Sequence, residues 1–436
     1  MIDKTRELAL KILYKIDKEG AYSNIALNEN IKENKKDLNA RDIGLISELT
    51  YGVTTWRLTL DEIIKKYSKI KIKKISPWIL NILRIGIYQI IFLEKIPKSA
   101  AVNESVNLAK RYGHKSSSNF VNAILRKVDK HDYQELFQIQ NPIQRISKTT
   151  SMPEWIVEQL LNERKDEEEV EKICINLNEK PKTIIRRNRL KLTKKELEKV
   201  LEEQNIQYEN IETNDDFYAI EKIRNIENLE AFQKGYFTVQ DISAGLSAYY
   251  LNPKKGEFIL DACSAPGGKT TYLAELMGNE GYIEAWDIHE HRTNLVEENA
   301  KRLGIKIIHT EQRDASKYDE NKKEKFDKIL LDVPCLGIGA IKRKPDIKWK
   351  KEPEDVEKIT KIQQEILQTC SKYLKKDGKL IYSTCSILKR ENEEVIKNFL
   401  KDNLNFELET IQNNQYLDIL PTKYQDGFFI AKLKKL

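Results

Sequence analysis

From about Gly235 to the C-terminus, short apolar runs alternate with helix-length amphipathic stretches, and candidate strands fall at 258–261, 282–286, 306–309, 328–331 and 379–382. Strands separated by a helix cannot pair as hairpins. They must be joined by crossovers, which lay them parallel in one sheet with helices on both faces. The pattern therefore predicts a doubly wound, Rossmann-like α/β domain over 233–436. In such sheets ligands collect beyond the carboxyl ends of the strands, where the strand order reverses. The residues that end these strands are the ones to read for chemistry.

Upstream the periodicity is different. Leu8, Ile12, Leu13 and Ile16, then Ile79, Ile82, Leu83 and Ile87, recur at helical spacing, with breaks expected at Gly20, Gly52, Ser76-Pro77, Pro97 and Gly113. An all-α domain is expected over 1–135. A small α+β domain is expected over 140–232, with helices at 155–171 and 194–203 and a strand at 183–187. Arg186, Arg187 and Arg189 are candidates for a nucleic-acid surface there. A chain of 436 residues exceeds one ordinary core, so a multidomain protein is expected. The most apolar stretch, Trp78 to Leu93, is interrupted by Asn81, Arg84 and Gln89, and reads as a buried helix rather than a membrane span. The start, Met1-Ile-Asp-Lys-Thr-Arg, lacks the apolar run of a signal peptide. A cytoplasmic protein with no membrane partner is expected.

Charge is unevenly placed. The net +7 conceals about +11 over residues 1–130, about −6 over 131–230 and about +2 over the remainder. A basic first third, with lysines clustered at 65–74, suggests a polyanionic partner, against the plainer reading of solvated helix faces. Five cysteines (Cys174, Cys263, Cys335, Cys370 and Cys385) form no Cys-x-x-Cys pair, and neither a disulfide framework nor a metal site is expected.

The segment Asp261-Ala-Cys-Ser-Ala-Pro-Gly-Gly-Lys-Thr270 follows a strand and opens a helix. Its glycines let backbone approach a ligand, and the helix N-terminus favours negative charge. A phosphate-binding P-loop needs Gly where Cys263 stands, and a Gly-x-Gly-x-x-Gly fingerprint is absent. S-adenosylmethionine fits better: Asp287 ends the next strand, where a ribose-binding acid belongs, and Asp314 follows the strand after it, placed to face an adenine amino group. A P-loop lacking its first glycine and a purely structural glycine turn both stay open at this point.

Two further strand ends carry thiols. Leu330-Leu-Asp-Val-Pro-Cys-Leu-Gly337 presents Asp332 and Cys335, and Tyr382-Ser-Thr-Cys-Ser386 presents Cys385. A single such thiol is usually packing. Two thiols and an acid on neighbouring strand ends suit methylation of a pyrimidine at C5. That carbon is too weak a nucleophile until a thiolate adds at C6, so covalent catalysis is required.

These stretches, with Lys342-Arg-Lys-Pro-Asp-Ile-Lys-Trp349, resemble the RNA cytosine-C5 methyltransferase family (Nol1/Nop2/Sun). Residues 1–130 resemble the NusB-type helical RNA-binding domain through Arg41-Asp-Ile-Gly, Glu48-Leu-Thr-Tyr-Gly52, Leu83-Arg-Ile-Gly-Ile-Tyr-Gln89, Ala101-Val-Asn-Glu104 and Phe120-Val-Asn-Ala-Ile-Leu-Arg126. That fusion, with Gly235-Tyr-Phe-Thr-Val-Gln-Asp241, is similar to the bacterial 16S rRNA branch of the family. The middle segment contributes only Pro181-Lys-Thr-Ile-Ile-Arg186. The resemblance implies a class I methyltransferase domain and S-adenosylmethionine as cofactor. It implies Cys385 as nucleophile, Cys335 in product release and Asp332 at the base edge. The cofactor site would comprise Cys263, Ser264, Ala265, Pro266, Gly267, Gly268 and Lys269 with Asp287, Asp314 and Asp332. Val333 and Leu336 stand where the family usually has Ala and Ser. The implied partner is 16S rRNA, at cytosine 967, and the implied state is a monomer. Another rRNA or tRNA cytosine is an alternative target, and a non-catalytic RNA-binding or assembly factor is an alternative class. Lys342, Arg343, Lys344 and Trp349 are candidates to grip RNA backbone and stack a base, against a solvated loop with a packing Trp.

Overall fold

The computed structural model describes residues 3–211, 214–221, 223 and 226–436. They form two compact units. One comprises Met1–Asn178 with Ile341–Lys351, and the other Glu179–Ala340 with Glu352–Leu436. The segment expected as a middle domain, 140–232, straddles this division: its first helices group with the helical unit and its strands with the α/β unit.

The first unit is helical: α1 Lys4–Glu19, α2 Ser23–Glu33, α3 Ala40–Tyr67, α4 Pro77–Phe92, α5 Lys98–Tyr112, α6 Lys115–Leu125, α7 Lys130–Glu135, α8 Pro142–Thr150, α9 Glu154–Arg164 and α10 Glu167–Asn176. Its core is aliphatic, with Leu10, Ile12, Leu49, Leu60, Ile82, Ile85 and Val121 fully buried. The polar interruptions of α4 lie inside. Arg84 is buried and donates to both Asp61 oxygens at 2.7 and 2.8 Å and to Asp17 at 2.7 Å, while Gln89 accepts from Arg6 at 2.7 Å. A charge removed from water needs partners of this kind. Gly52 does not break the chain; it lies within α3. A Cβ there would fall 2.0 Å from the Tyr88 ring, so the glycine serves a close helix approach that sequence patterning reads as a stop. The helix expected at 155–171 is two: Lys165 takes the left-handed conformation that ends α9, and Asp166 caps α10 by accepting from Glu168 and Glu169.

The second unit holds two sheets. The smaller comprises β1 Thr183–Arg187, β2 Tyr208–Asn210, β3 Phe217–Ile220 and β4 Phe237–Val239, antiparallel in the order β2-β3-β1-β4. Helices α11 Lys194–Glu203 and α12 Glu230–Gln233 accompany it. After α13 Ile242–Leu251 comes the large sheet: β5 Phe258–Asp261, β6 Tyr282–Asp287, β7 Ile308–Gln312, β8 Phe326–Asp332, β9 Leu374–Thr384, β10 Phe406–Glu409, β11 Tyr416–Ile419 and β12 Phe428–Lys435. Its order is β10-β12-β9-β8-β5-β6-β7, with β11 on β12. Strands β5 to β9 pair in parallel, and β12 pairs antiparallel to β9. Helices α14 Gly268–Leu276, α15 Glu290–Leu303, α17 Pro353–Cys370 and α18 Glu393–Asp402 belong to this domain, whereas the short α16 Ile347–Lys350 packs with the helical unit. The third strand begins two residues later than the expected 306–309 and ends three later, at Gln312. The order grows outward from β5 to β7 on one side and from β8 to β9 on the other. The carboxyl ends of β5 and β8 therefore flank the switch point.

Candidate active site

Strand β5 ends at Asp261, and the chain turns through Cys263 to Gly267 before α14 begins. Gly267, at φ +98°, is the N-cap, and a Cβ on it would fall 3.1 Å from the Val296 backbone of α15. The loop is fixed to the neighbouring strand: Ser264 donates to the Trp286 carbonyl from its N–H at 2.7 Å and its hydroxyl at 2.9 Å. Thr270 donates to Asp261 at 2.7 Å. The first N–H groups of α14 have no partner within the helix, as at any helix start.

Acids end the adjoining strands. Asp287 closes β6; it is buried, and its carboxylate accepts from the His289 N–H at 3.1 Å and pairs with Arg292 at 3.2 Å. Arg292 also donates to the Ala265 carbonyl at 3.1 Å, so one guanidinium joins the loop to the acid. Asp314, two residues beyond β7, accepts from the Ser316 hydroxyl and N–H, which hold it below the ordinary carboxylate range. Asp332 closes β8 and accepts from Lys269 at 2.6 Å and Ser383 at 3.0 Å. Burial works against the Lys269 ammonium, but Asp332 outweighs it and holds its pKa above the usual value, and Cys385 adds in the same direction. A loop of backbone donors bordered by acids on successive strands fits an adenosyl group and an amino-acid tail. Cys263 lies within this loop, and burial pushes its thiol far up, so it lines the site as an un-ionised group.

Cys335 follows β8 and Cys385 follows β9, and the register places Asp332 beside Ser383. The two sulfurs are 2.9 Å apart and both thiols are free. The Cys335 pKa stands well above its ordinary value, first because its thiol shares a hydrogen bond with Cys385, then through burial and the Cys385, Glu391 and Asp332 charges. The segment after it is held closely: Gly339 donates to the Cys385 carbonyl at 2.9 Å, and Gly427 to the Gly339 carbonyl at 2.9 Å. The unusual Val333 and Leu336 are both buried. Their backbone N–H groups donate to the Ser383 carbonyl and to Glu391, bonds indifferent to side-chain identity.

Of the basic loop expected to hold RNA, Lys344 is exposed and Arg343 half-buried, whereas Lys342 is buried. Trp349 is anchored: its indole N–H donates to the Thr54 carbonyl at 2.7 Å, with Arg57 over the ring at 5.5 Å. Its neighbours Asp346 and Lys348 are buried as well, the first accepting from Ser23 at 2.5 and 3.1 Å, the second donating to the Thr55, Ser151 and Asn178 oxygens. This stretch acts as a peg within the helical unit. Arg186 is a correction: it is fully buried, paired with Glu275 at 2.7 Å and bonded to the Gly268 carbonyl at 2.8 Å. It braces the start of α14 and is no part of a nucleic-acid surface. Sequence reasoning missed Arg292, Ser383 and Glu391.

Three family descriptions match the chain: 16S rRNA methyltransferase RsmB/F over residues 248–434, the NusB family over 3–130, and the RsmF/B-like ferredoxin-like domain over 152–227. The probable ribosomal RNA small subunit methyltransferase B of Bacillus subtilis is 38% identical, covering 99% of this chain and 98% of that one. Its counterpart in Synechocystis is 34% identical over 99% of both. Among solved structures, PH0851 is similar over all of both chains at a TM-score of 0.81 and 26% identity. NSun6 from Pyrococcus horikoshii with SFG, an S-adenosylmethionine analogue, is 25% identical at a TM-score of 0.59, covering 65% of this chain and 98% of that one.

Proposed function

The chain belongs to the 16S rRNA methyltransferase RsmB/F family, and from that premise we propose that it methylates C5 of one cytosine of 16S rRNA, cytosine 967, through a Cys385 adduct. It is an S-adenosylmethionine-dependent rRNA methyltransferase. The observation that carries the covalent reading is the pair of free thiols, 2.9 Å apart at neighbouring strand ends beside Asp332.

When bound, the cofactor supplies an electrophilic methyl on a sulfonium sulfur. The Asp261–Gly267 loop and the first turn of α14 would hold its amino-acid portion, Asp287 its ribose and Asp314 its adenine. The target base must leave its stack to enter. The Cys385 thiolate adds to C6, the C5–C6 double bond opens, and its electron pair makes C5 nucleophilic toward the methyl. Asp332, fixed by Lys269 and Ser383, hydrogen-bonds the N3–N4 edge of the base and stabilises the adduct. After methyl transfer the C5 proton passes to water, the electron pair of that C–H bond re-forms the C5–C6 double bond, and the C6–S bond breaks with its pair returning to the Cys385 thiolate. The Cys335 thiol, which lies beside that sulfur, would donate a hydrogen bond to it as it leaves and so assist release.

Labelled S-adenosylmethionine and a 16S rRNA transcript should yield C5-methylcytosine with wild type and none with Cys385→Ala. Cys335→Ala should accumulate an RNA–protein adduct stable to denaturant. Transfer by Cys385→Ala would overturn the covalent route. Bisulfite mapping in cells lacking the gene should show loss of one methylcytosine, and loss elsewhere than position 967 would reassign the target.

A further inference from the structure

Glu391 is fully buried between α17 and α18, in the turn that follows the Cys385 strand end. One carboxylate oxygen accepts from the Leu336 N–H at 2.9 Å and from Gln363 Nε2 at 3.1 Å. The other accepts from the Ser386 hydroxyl at 2.5 Å. Leu336 follows one reacting cysteine and Ser386 follows the other. The same Gln363 amide donates to the Pro334 carbonyl at 3.0 Å, so the residues on both sides of Cys335 are tied to this cluster. On the other segment, Thr384 donates to Asn392 at 2.6 Å, and Asn392 donates to the Ser386 carbonyl at 3.0 Å.

We propose that Glu391 is a positioning residue that sets the separation of the two thiols by serving as the common anchor for the chain segments that carry them. The side-chain chemistry fits this task. Three donors converge from three chain segments, and a side chain of this length with acceptor oxygen at its end reaches all of them; where an amide replaces the carboxylate, the Ser386 hydroxyl can accept instead of donate. An aspartate is one methylene too short to span both segments. The proposal rests on the covalent reading above, because spacing matters only if one thiol attacks and the other assists departure.

The test compares Glu391→Ala with Glu391→Gln, which can still reach both segments. For Glu391→Ala, kcat on 16S rRNA should fall by about tenfold to a hundredfold, the scale expected for sub-ångström to ångström misplacement of reacting groups. Its Kd for S-adenosylmethionine should stay within about twofold of wild type, and Glu391→Gln should recover most of the loss. Unchanged kcat in Glu391→Ala, or a parallel loss of cofactor affinity, would overturn the proposal. A second readout needs no methyl transfer. With Cys174, Cys263 and Cys370 changed to Ser, phenylarsine oxide should bridge the remaining two thiols, and both Glu391→Ala and the milder Ser386→Ala should slow bridging. Equal bridging rates in these variants would sink the proposal even if one of them folds poorly. Failure of wild type to methylate, with bridging lost as expected, would count against the reaction and not against the anchor.

Discussion

Asp261 shows how one buried carboxyl can make this domain pH-sensitive. Burial is the largest influence on it, and its pKa rises from 3.8 to about 7. Nearby Asp332 adds to the rise, while Thr270 and Lys269 oppose it. In the unfolded chain the group ionises near 3.8, so between pH 4 and 7 the folded state binds more protons. Stability contributed by the neutral acid is present at low pH and lost as pH rises through 7. A rise of this size corresponds to on the order of 4 kcal/mol. Asp261→Asn keeps an acceptor for the Thr270 hydroxyl but cannot ionise. The excess of its thermal midpoint over wild type should be small near pH 4.5 and much larger at pH 8, and equal pH dependence of the two would refute this account. Residues such as Lys269, Asp332 and Cys385 were legible in the sequence because each sits beside a glycine or strand-end signal. Glu391, Ser383 and Arg292 were not, because their meaning lies in partners 27 to 55 positions away, at 336, 332 and 265.

At the level of elements, the parallel strands were legible because alternating apolar runs and helices leave few other arrangements. The antiparallel β10, β11 and β12 went unread. Their burial is uneven, and β12 carries Lys432, Lys434 and Lys435, with Lys432 and Lys435 paired to Glu409 and Glu324, so the charges disguise an inner strand. Glycines misled in the opposite sense at Gly52, where close packing and not a turn requires the residue. Gly339 makes the same demand at the site itself: a Cβ would fall 2.0 Å from the Gly427 carbonyl oxygen and 2.9 Å from that of Cys385. Backbone on both sides cannot give way locally, so Gly339→Ala should push the post-Cys335 segment off the β9 end. We expect a loss of about 1–3 kcal/mol in stability, as for overpacked interiors, and a larger proportional fall in kcat than in cofactor affinity. Wild-type melting and turnover in this variant would show that the contact is not required.

For the whole molecule, the uneven charge assigns different work to the two units. The surplus of about +11 lies in residues 1–130, and the acids of the candidate cofactor site lie in the α/β unit. The lysines at 65–74 are not equivalent. Lys66 pairs with Asp132 at 2.7 Å and Glu135 at 2.6 Å, and Lys65 pairs with Glu62. Lys69, Lys71, Lys73 and Lys74 are exposed around the single turn Ile72–Lys74, and these four are the ones suited to phosphates. Replacing all four with Gln should weaken binding to a 16S rRNA fragment. Each lost phosphate contact should also lower the slope of log K against log salt by about 0.7–0.9. Cofactor Kd should not move, because the groups that fit the cofactor lie on the β5 to β8 strand ends. Replacing Lys66 alone should change thermal stability more than the salt slope, because its charge is already engaged. If the fourfold variant keeps the wild-type salt slope, the basic turn does not contact RNA, and the positive surplus of this unit is a solvated surface.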